Sequence, residues 1–355
     1  MKLLICAPDI FESDAVGNHC LGLADLAEGS GWDVRTYAQQ FDATMSRVRP
    51  LEALYSDVTR DDLLFVSYSI VDPLLDRLLA LPCKKICYFH GITDPALLRE
   101  FEPVTASLCD QALAQLPQLA KFDAIVANSK YIARSLAPHM DASDVIVIPP
   151  VFASLPAFAG QPAAHHDIAG FNMLVLGRVV PHKRVEDALE VLARVADGGV
   201  DATMTIVGSM PNYDYSKFLL RRARTLGVLA RIDFTGMVDD ADLLLSYDRT
   251  SLLLSMSRHE GFCIPALEAM HRGIPVVVRA GHAAAEVVGD AGLAVGPSES
   301  ASKIAERIVA LRANGARWDA LTQLARERAD ALLELTTWRH WTTVFERALH
   351  GKGKR

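Results

Sequence analysis

The chain carries six cysteines in 355 residues and no C-x-x-C pair among them. Cys83 and Cys87 have the wrong spacing for a zinc knuckle, so the six read as small buried residues in a reducing compartment. Long apolar runs are also missing: nothing approaches the roughly 20 residues of a membrane span. Met1 to Cys6 has one cation and an apolar run too short for a signal peptide, and Pro8-Asp9 ends it. The expectation is a cytoplasmic protein, at most peripheral at the cytoplasmic face of the inner membrane. Excess positive charge is absent as well, and a net charge of −7 argues against a nucleic-acid partner. The imbalance is uneven: residues 1–160 hold 12 Lys+Arg against 20 Asp+Glu, and residues 161–355 hold 24 against 23. Finally, the first strand-turn-helix lacks G-x-G-x-x-G, which disfavours a dinucleotide oxidoreductase.

Half of the residues are apolar, and the length suits two domains, each able to bury a core. Apolar strand patterns at Leu3–Ala7, Asp33–Ala38, Leu63–Ser69, Lys85–His90, Ala124–Ala127 and Asp144–Ile148 alternate with helical patterns at Gly17–Glu28, Val71–Ala80 and Ser129–Ala137. This predicts an α/β doubly wound domain over residues 1–150. Residues 151–169, rich in proline and alanine, break both periodicities and read as a linker. His165-His166 in that stretch is assigned no role. The alternation resumes over 170–336, and Trp338, Trp341, Phe345 and Leu349 form an apolar helical stripe near the end. The basic tail from Gly351 is expected to be disordered and to add only weak membrane attraction.

Functional information concentrates in Ser257–Val278. A short apolar strand, Ser251–Met256, leads into a loop at Glu260-Gly261-Phe262-Cys263, and Pro265 suits the first turn of a helix that Gly273 ends. A helix N-terminus offers unpaired N–H groups to phosphate. Glu260 before that helix and Glu268 about one turn inside it can face one ligand; a dipole-favouring carboxylate plus a solvent-facing glutamate is the plain alternative. Upstream, a strand ends at Gly177-Arg178, with Lys183 five residues on before an amphipathic helix at Val185–Val195. Arg178 and Lys183 fit a diphosphate clamp, the first bidentate and the second a mobile point charge. Two solvated loop cations would be the commoner reading of such a pair.

Gly177-Arg178 with Lys183, Glu260 and Glu268 with seven residues between them, Gly-Phe after Glu260, Gly273-Ile-Pro-Val-Val, and Glu286-Val-Val-Gly-Asp-Ala-Gly292 together resemble the retaining GT-B glycosyltransferases of family 4, the glycosyl transferases group 1. The resemblance implies two Rossmann-like domains facing a deep cleft, with the last helix, 337–350, crossing back onto the first domain. It implies transfer of a hexose, mannose slightly favoured, from a nucleoside diphosphate sugar to a hydroxyl of a glycan or lipid-linked acceptor, with retention. GDP or UDP would be the product.

By that resemblance Arg178, Lys183, Glu260 and His90 are catalytic. Glu268 holds the ribose, and Gly177, Gly261, Phe262, Cys263, Ile264, Val238 and Gly17 line the donor site. His90, ending the strand Lys85–His90, would donate to a sugar hydroxyl or carry a proton; a structural histidine is the alternative. No cofactor and no metal are implied, and no Asp-x-Asp sits in a plausible loop. The family's Gly-Gly in the first loop is here only Gly17, so Asn18 and His19 are weaker contacts, and Asp9 or Asp14 binds acceptor or caps a helix. Cys263 and Arg184 replace usual glycines. Asp94 reads as a cap, as does either Asn128 or Ser129, and Arg221, Arg222 and Arg224 read as a solvated face. A nucleotide-sugar epimerase, a sugar phosphorylase and a non-catalytic binding subunit are alternatives on the same frame.

Overall fold

Leu63-Leu-Phe-Val-Ser-Tyr68 is buried at every position, the mark of a strand covered on both faces. In the computed structural model, which describes residues 1–12, 14–153 and 170–351, it is the fourth strand of a parallel sheet. The chain divides into two units: residues 1–92, 107–154 and 332–355, and residues 93–106 and 155–331.

The first unit builds β1 Lys2–Ile10, α1 Ala15–Gly29, β2 Asp33–Phe41, β3 Val48–Pro50, α2 Leu51–Asp57, β4 Leu63–Tyr68, α3 Leu75–Leu79, β5 Lys84–Phe89, most of α4 Pro103–Gln115, β6 Ala124–Ala127, α5 Lys130–Ser135 and β7 Val145–Val147. Its seven strands run in the order β3-β2-β1-β4-β5-β6-β7, all parallel. The order reverses between β1 and β4, the topological switch where open α/β sheets bind ligands.

The second unit builds β8 Phe171–Leu176, α6 Val185–Asp197, β9 Ala202–Val207, α7 Tyr213–Thr225, β10 Ile232–Gly236, α8 Asp240–Asp248, β11 Leu252–Ser255, α9 Ile264–His271, β12 Val276–Arg279, α10 Ala283–Val288, β13 Leu293–Val295, α11 Ala301–Arg312 and most of α12 Gly315–Glu334. Its order is β10-β9-β8-β11-β12-β13, with the switch between β8 and β11. Helix α6 shows why the register holds: Val185, Ala188, Leu189, Val191, Leu192 and Val195 recur on one stripe and are all buried.

The last helix, α13 Trp338–His350, belongs to the first unit. Trp341, Val344, Phe345 and Ala348 are its buried face, packed into the same core as Leu3, Ile5 and Tyr88, while Trp338 and Leu349 flank it partly buried. Burying a tryptophan and a phenylalanine this way is worth several kcal/mol, about 1.5–3 for each large apolar side chain.

The structure departs from the sequence reading in places. The helix expected over Val71–Ala80 is only Leu75–Leu79, because Asp72 precedes Pro73, which disfavours helical backbone there, and Asp72 turns its carboxylate to the Leu74 N–H. Helices α2 and α4 and strand β3 were not foreseen, and residues 93–106 group with the second unit although the first domain was drawn as 1–150. Most of the expected linker, with His165-His166, and the tail beyond Gly351 lie outside the described residues. Among those residues no helix is long and apolar enough to cross a membrane.

Candidate functional site

Strand β8 ends at Leu176, and Gly177 follows with φ +127°, a conformation that favours glycine. The backbone here is crowded: a Cβ on neighbouring Gly208 would lie 2.1 Å from the Gly177 carbonyl oxygen. The chain then passes Arg178, makes a single turn at Pro181–Lys183, and enters α6 through Arg184, left-handed at φ 52°, ψ 48°. That backbone explains why a glycine would be usual at 184. Arg184 compensates by pairing with Glu186 at 2.7 Å and with Asp187 at 2.8 Å. Asp187 also takes the buried Arg279 at 2.6 Å, and Glu186 accepts from the Tyr215 hydroxyl. The turn that carries Lys183 is thereby held by charges from α6 and β12 and by the Tyr215 hydroxyl of α7.

Strand β11 ends at Ser255, and the loop 256–263 returns to the same edge. Lys183 Nζ and Ser257 Oγ each donate to Glu260 Oε1 at 2.7 Å. Burial would push the Glu260 carboxyl up, but Lys183 and the Ser257 hydroxyl more than offset this and hold it down at about 2. Ser257 is itself anchored. The α10 cap residue His282 accepts the Ala284 N–H at Nδ1, which leaves Nε2 to donate to the Ser257 carbonyl at 2.8 Å. Burial also lowers His182 to about 3 and His259 to about 4, so the rings around Glu260 are neutral at physiological pH. Gly177, Arg178, Lys183, Ser255, Ser257 and Pro265 line one small pocket at the β8/β11 switch.

Arg178 is exposed and feels the Glu102 carboxylate; it is not bound to Glu260 as Lys183 is. Gly261 and Ile264 are half-buried, Phe262 is buried, and Pro265 occupies the first turn of α9. Cys263 holds the N-cap position at φ 86°, ψ 70°, buried, with its thiol pushed up to about 12 by burial. A non-glycine residue there is strained, by about 1–3 kcal/mol, which is why glycine is the usual occupant.

Glu268 is buried, so the solvent-facing alternative fails. Its Oε2 accepts from Tyr247 Oη of α8 at 2.6 Å, and burial raises its carboxyl to about 7. Val238, the residue expected near the base, is half-buried on the loop between β10 and α8, beside exposed Met237.

In the first unit His90 follows β5, half-buried, with Nε2 2.8 Å from Ser67 Oγ. Burial drops it to about 3, so a proton-carrying imidazolium is disfavoured and a neutral hydrogen-bonding ring remains. His19 is fully buried, its Nδ1 accepting the Val151 N–H at 2.9 Å, and Asn18 Oδ1 accepts from Ala153 N at 2.9 Å. This corrects the expectation of ligand contact for His19: it ties α1 to the strand-end segment 151–153. Gly17 is needed sterically, because a Cβ there would lie 2.1 Å from the Phe11 carbonyl oxygen.

The capping readings hold for Asp14, Asp94 and Ser129, while Asn128 instead donates its Nδ2 to the His90 carbonyl at 3.1 Å. Asp14 accepts from the Val16 and Gly17 N–H groups, Asp94 from Ala96 and Ser129 from Ile132. Arg221 and Arg224 are exposed, whereas Arg222 pairs with Glu190 across α6 and α7. Among the described residues no three His, Cys, Asp or Glu side chains form a group that could hold a metal ion. Sequence reasoning passed over Ser257, His282 and Tyr247. Ser257 had a signal in its spacing, three residues before Glu260; the other two act across elements, where spacing says nothing.

Residues 169–328 match the family described as glycosyl transferases group 1. A GDP-mannose-dependent alpha-(1-6)-phosphatidylinositol dimannoside mannosyltransferase of Mycobacterium tuberculosis is 32% identical over 167 residues, covering 46% of this chain and 39% of its own length. The match thus spans about two fifths of that relative. Among solved structures, Anabaena HepE in complex with UDP and glucose superposes with a TM-score of 0.75 at 17% identity, over 97% of this chain and 99% of its own. Sucrose-phosphate synthase from Thermosynechococcus elongatus superposes with a TM-score of 0.74 at 16% identity, over 99% and 100%. At such identities the structural likeness speaks for the fold, which is GT-B. The chain therefore has the GT-B fold, and residues 169–328, within its second unit, are similar to the glycosyl transferases group 1 family.

Proposed function

We propose that the protein is a retaining hexosyltransferase, acting without a resident metal, that moves a hexose from a nucleoside diphosphate sugar to a hydroxyl of a glycan or lipid-linked acceptor in surface or exopolysaccharide assembly. The observation that carries this reading is the meeting of Lys183 and Ser257 on one oxygen of Glu260, in a unit whose pocket also contains Gly177 and Arg178. Mannose from GDP-mannose is favoured, because a GDP-mannose-dependent enzyme is among the relatives; the UDP and glucose bound by HepE keep UDP-hexoses as the second donor class.

In this reading the bond between the anomeric carbon and the diphosphate oxygen breaks, and negative charge grows on the leaving oxygen. Arg178 and Lys183, with the N–H groups opening α9, stabilise that charge; each such contact is worth on the order of 2–4 kcal/mol in a closed site. The acceptor oxygen bonds the anomeric carbon on the same face, and its proton passes to the departing phosphate. Glu260 binds donor hydroxyls or the positive charge at that carbon and places Lys183. Glu268 accepts from the ribose diol, residues 236–238 meet the base, and His90 hydrogen-bonds a sugar hydroxyl as a neutral ring.

The test is thermal stability of the purified protein against GDP, UDP, ADP and their sugar nucleotides, without metal and with magnesium. A ligand at 100 times its Kd stabilises by about 2.7 kcal/mol, a shift of several degrees. One responding base names the donor class, and the anomeric proton of the product, read by NMR, reports retention. No response to any nucleotide sinks the reading.

A further inference from the structure

Tyr247 and Glu268 come from different helices, α8 and α9, and meet in the interior of the second unit. Tyr247 is fully buried and Glu268 nearly so, and the phenol donates to Oε2 at 2.6 Å. A buried phenol aimed at a buried carboxylate is costly to build, because both groups give up water for a single bond. The arrangement does two things. It commits Oε2, so that Oε1 is the oxygen left for another donor. It also joins the carboxylate to α8, the helix that begins directly after residues 236–239, the loop read above as meeting the base.

We propose that Tyr247 is a positioning residue for nucleoside recognition: it orients the Glu268 carboxylate toward the ribose and keeps it in the form that accepts from the 2′ and 3′ hydroxyls. The inference rests on the proposed donor reading. Burial raises the Glu268 carboxyl and the Tyr247 hydrogen bond opposes the rise, so loss of the hydroxyl moves the titration higher still. The surrounding charges are few. The field on Tyr247 comes from Glu268, from the Cys263 thiol and from the Arg272 guanidinium, which pairs with Asp248. Of the elements packed on α9, β11 has no ionisable group and β12 has Arg279, tied to Asp187. Helix α10 has Glu286 and the cap residue His282, the latter bound to the Ser257 carbonyl.

The experiment titrates wild type, Tyr247→Phe and Glu268→Gln with UDP and GDP, and with the 2′,3′-dideoxy form of each, from pH 6 to 8.5. For the ribonucleotide that binds, Tyr247→Phe is expected to lose roughly tenfold in affinity at pH 7. Its pH midpoint should move up by about one unit, so that the deficit narrows toward pH 8.5. Its affinity for the dideoxy nucleotide should equal that of wild type. Glu268→Gln should lose both the pH dependence and the preference for ribose. A deficit that is the same at every pH, or the same for the dideoxy nucleotide, marks a merely structural tyrosine and overturns the inference. If wild type discriminates ribose and Tyr247→Phe matches it throughout, the inference alone fails. If wild type binds neither UDP nor GDP, the donor reading fails and takes this one with it.

Discussion

Lys183 Nζ lies 2.7 Å from Glu260 Oε1, so the cation read as a phosphate ligand is the partner of the carboxylate read as a sugar ligand. The pair explains how a carboxylate only 8% exposed stays ionised. It also means that removing either member acts on both stability and chemistry.

Lys183→Ala is expected to lower kcat by about a hundredfold or more, the usual cost of one donor to a developing anion. It also leaves Glu260 with only Ser257. Because Lys183 depresses the Glu260 pKa, the stabilisation is present above the ordinary carboxylate pKa near 4.3 and is lost as pH falls toward about 2. The difference in melting temperature between wild type and variant should therefore shrink between pH 6 and pH 3. Turnover at the wild-type level in a folded variant would remove Lys183 from the clamp.

Glu268 has the opposite sign. Its carboxyl is raised to about 7, so the native state binds a proton that the unfolded chain releases near 4.3, and stability is lost as pH rises through that window. Glu268→Gln should therefore melt higher than wild type at pH 8, with a smaller or reversed difference at pH 4, while nucleotide affinity drops by an order of magnitude or so. Equal melting shifts at both pH values would show that burial does not strain this group.

Burial holds the His90 ring down at about 3, far below neutral pH. Replacing it with Gln should lower turnover while the acid limb of the pH–rate profile between pH 5.5 and 8 keeps its position, and His90→Ala should lose more than His90→Gln. A limb near 6.5 that vanishes in both variants would show that the ring carries a proton after all.

Cys263 offers a test of backbone strain. At φ 86° a glycine relieves a cost of about 1–3 kcal/mol but gives up the buried thiol, whereas alanine keeps the strain and loses the sulfur. Thermal melts should rank Cys263→Gly above Cys263→Ala. The reverse order would mean that the thiol's contacts dominate the site.

Much of the fold was legible because its information is local. Gly177, Pro265 and Gly273 punctuate strands and helices through their own backbone preferences, and α6 and α13 show their buried stripes as a simple period. Weakly periodic segments such as α4 escaped for the same reason, since Pro103–Gln115 shows little contrast between its faces. The acidic balance of the first half and the paired glutamates were likewise properties of the chain taken alone.

Tertiary structure decided which groups share a bond. Lys183 and Glu260 are 77 residues apart, Tyr247 and Glu268 21, and His282 and Ser257 25, and in each case the two come from different elements or loops. Whether His19 touches a ligand or is sealed in a core, and whether a glutamate titrates near 2 or near 7, depends on desolvation and on the charges within a few ångströms. Those quantities belong to the packed parallel sheets, which bring distant strand ends to one edge, and no spacing along the chain encodes them.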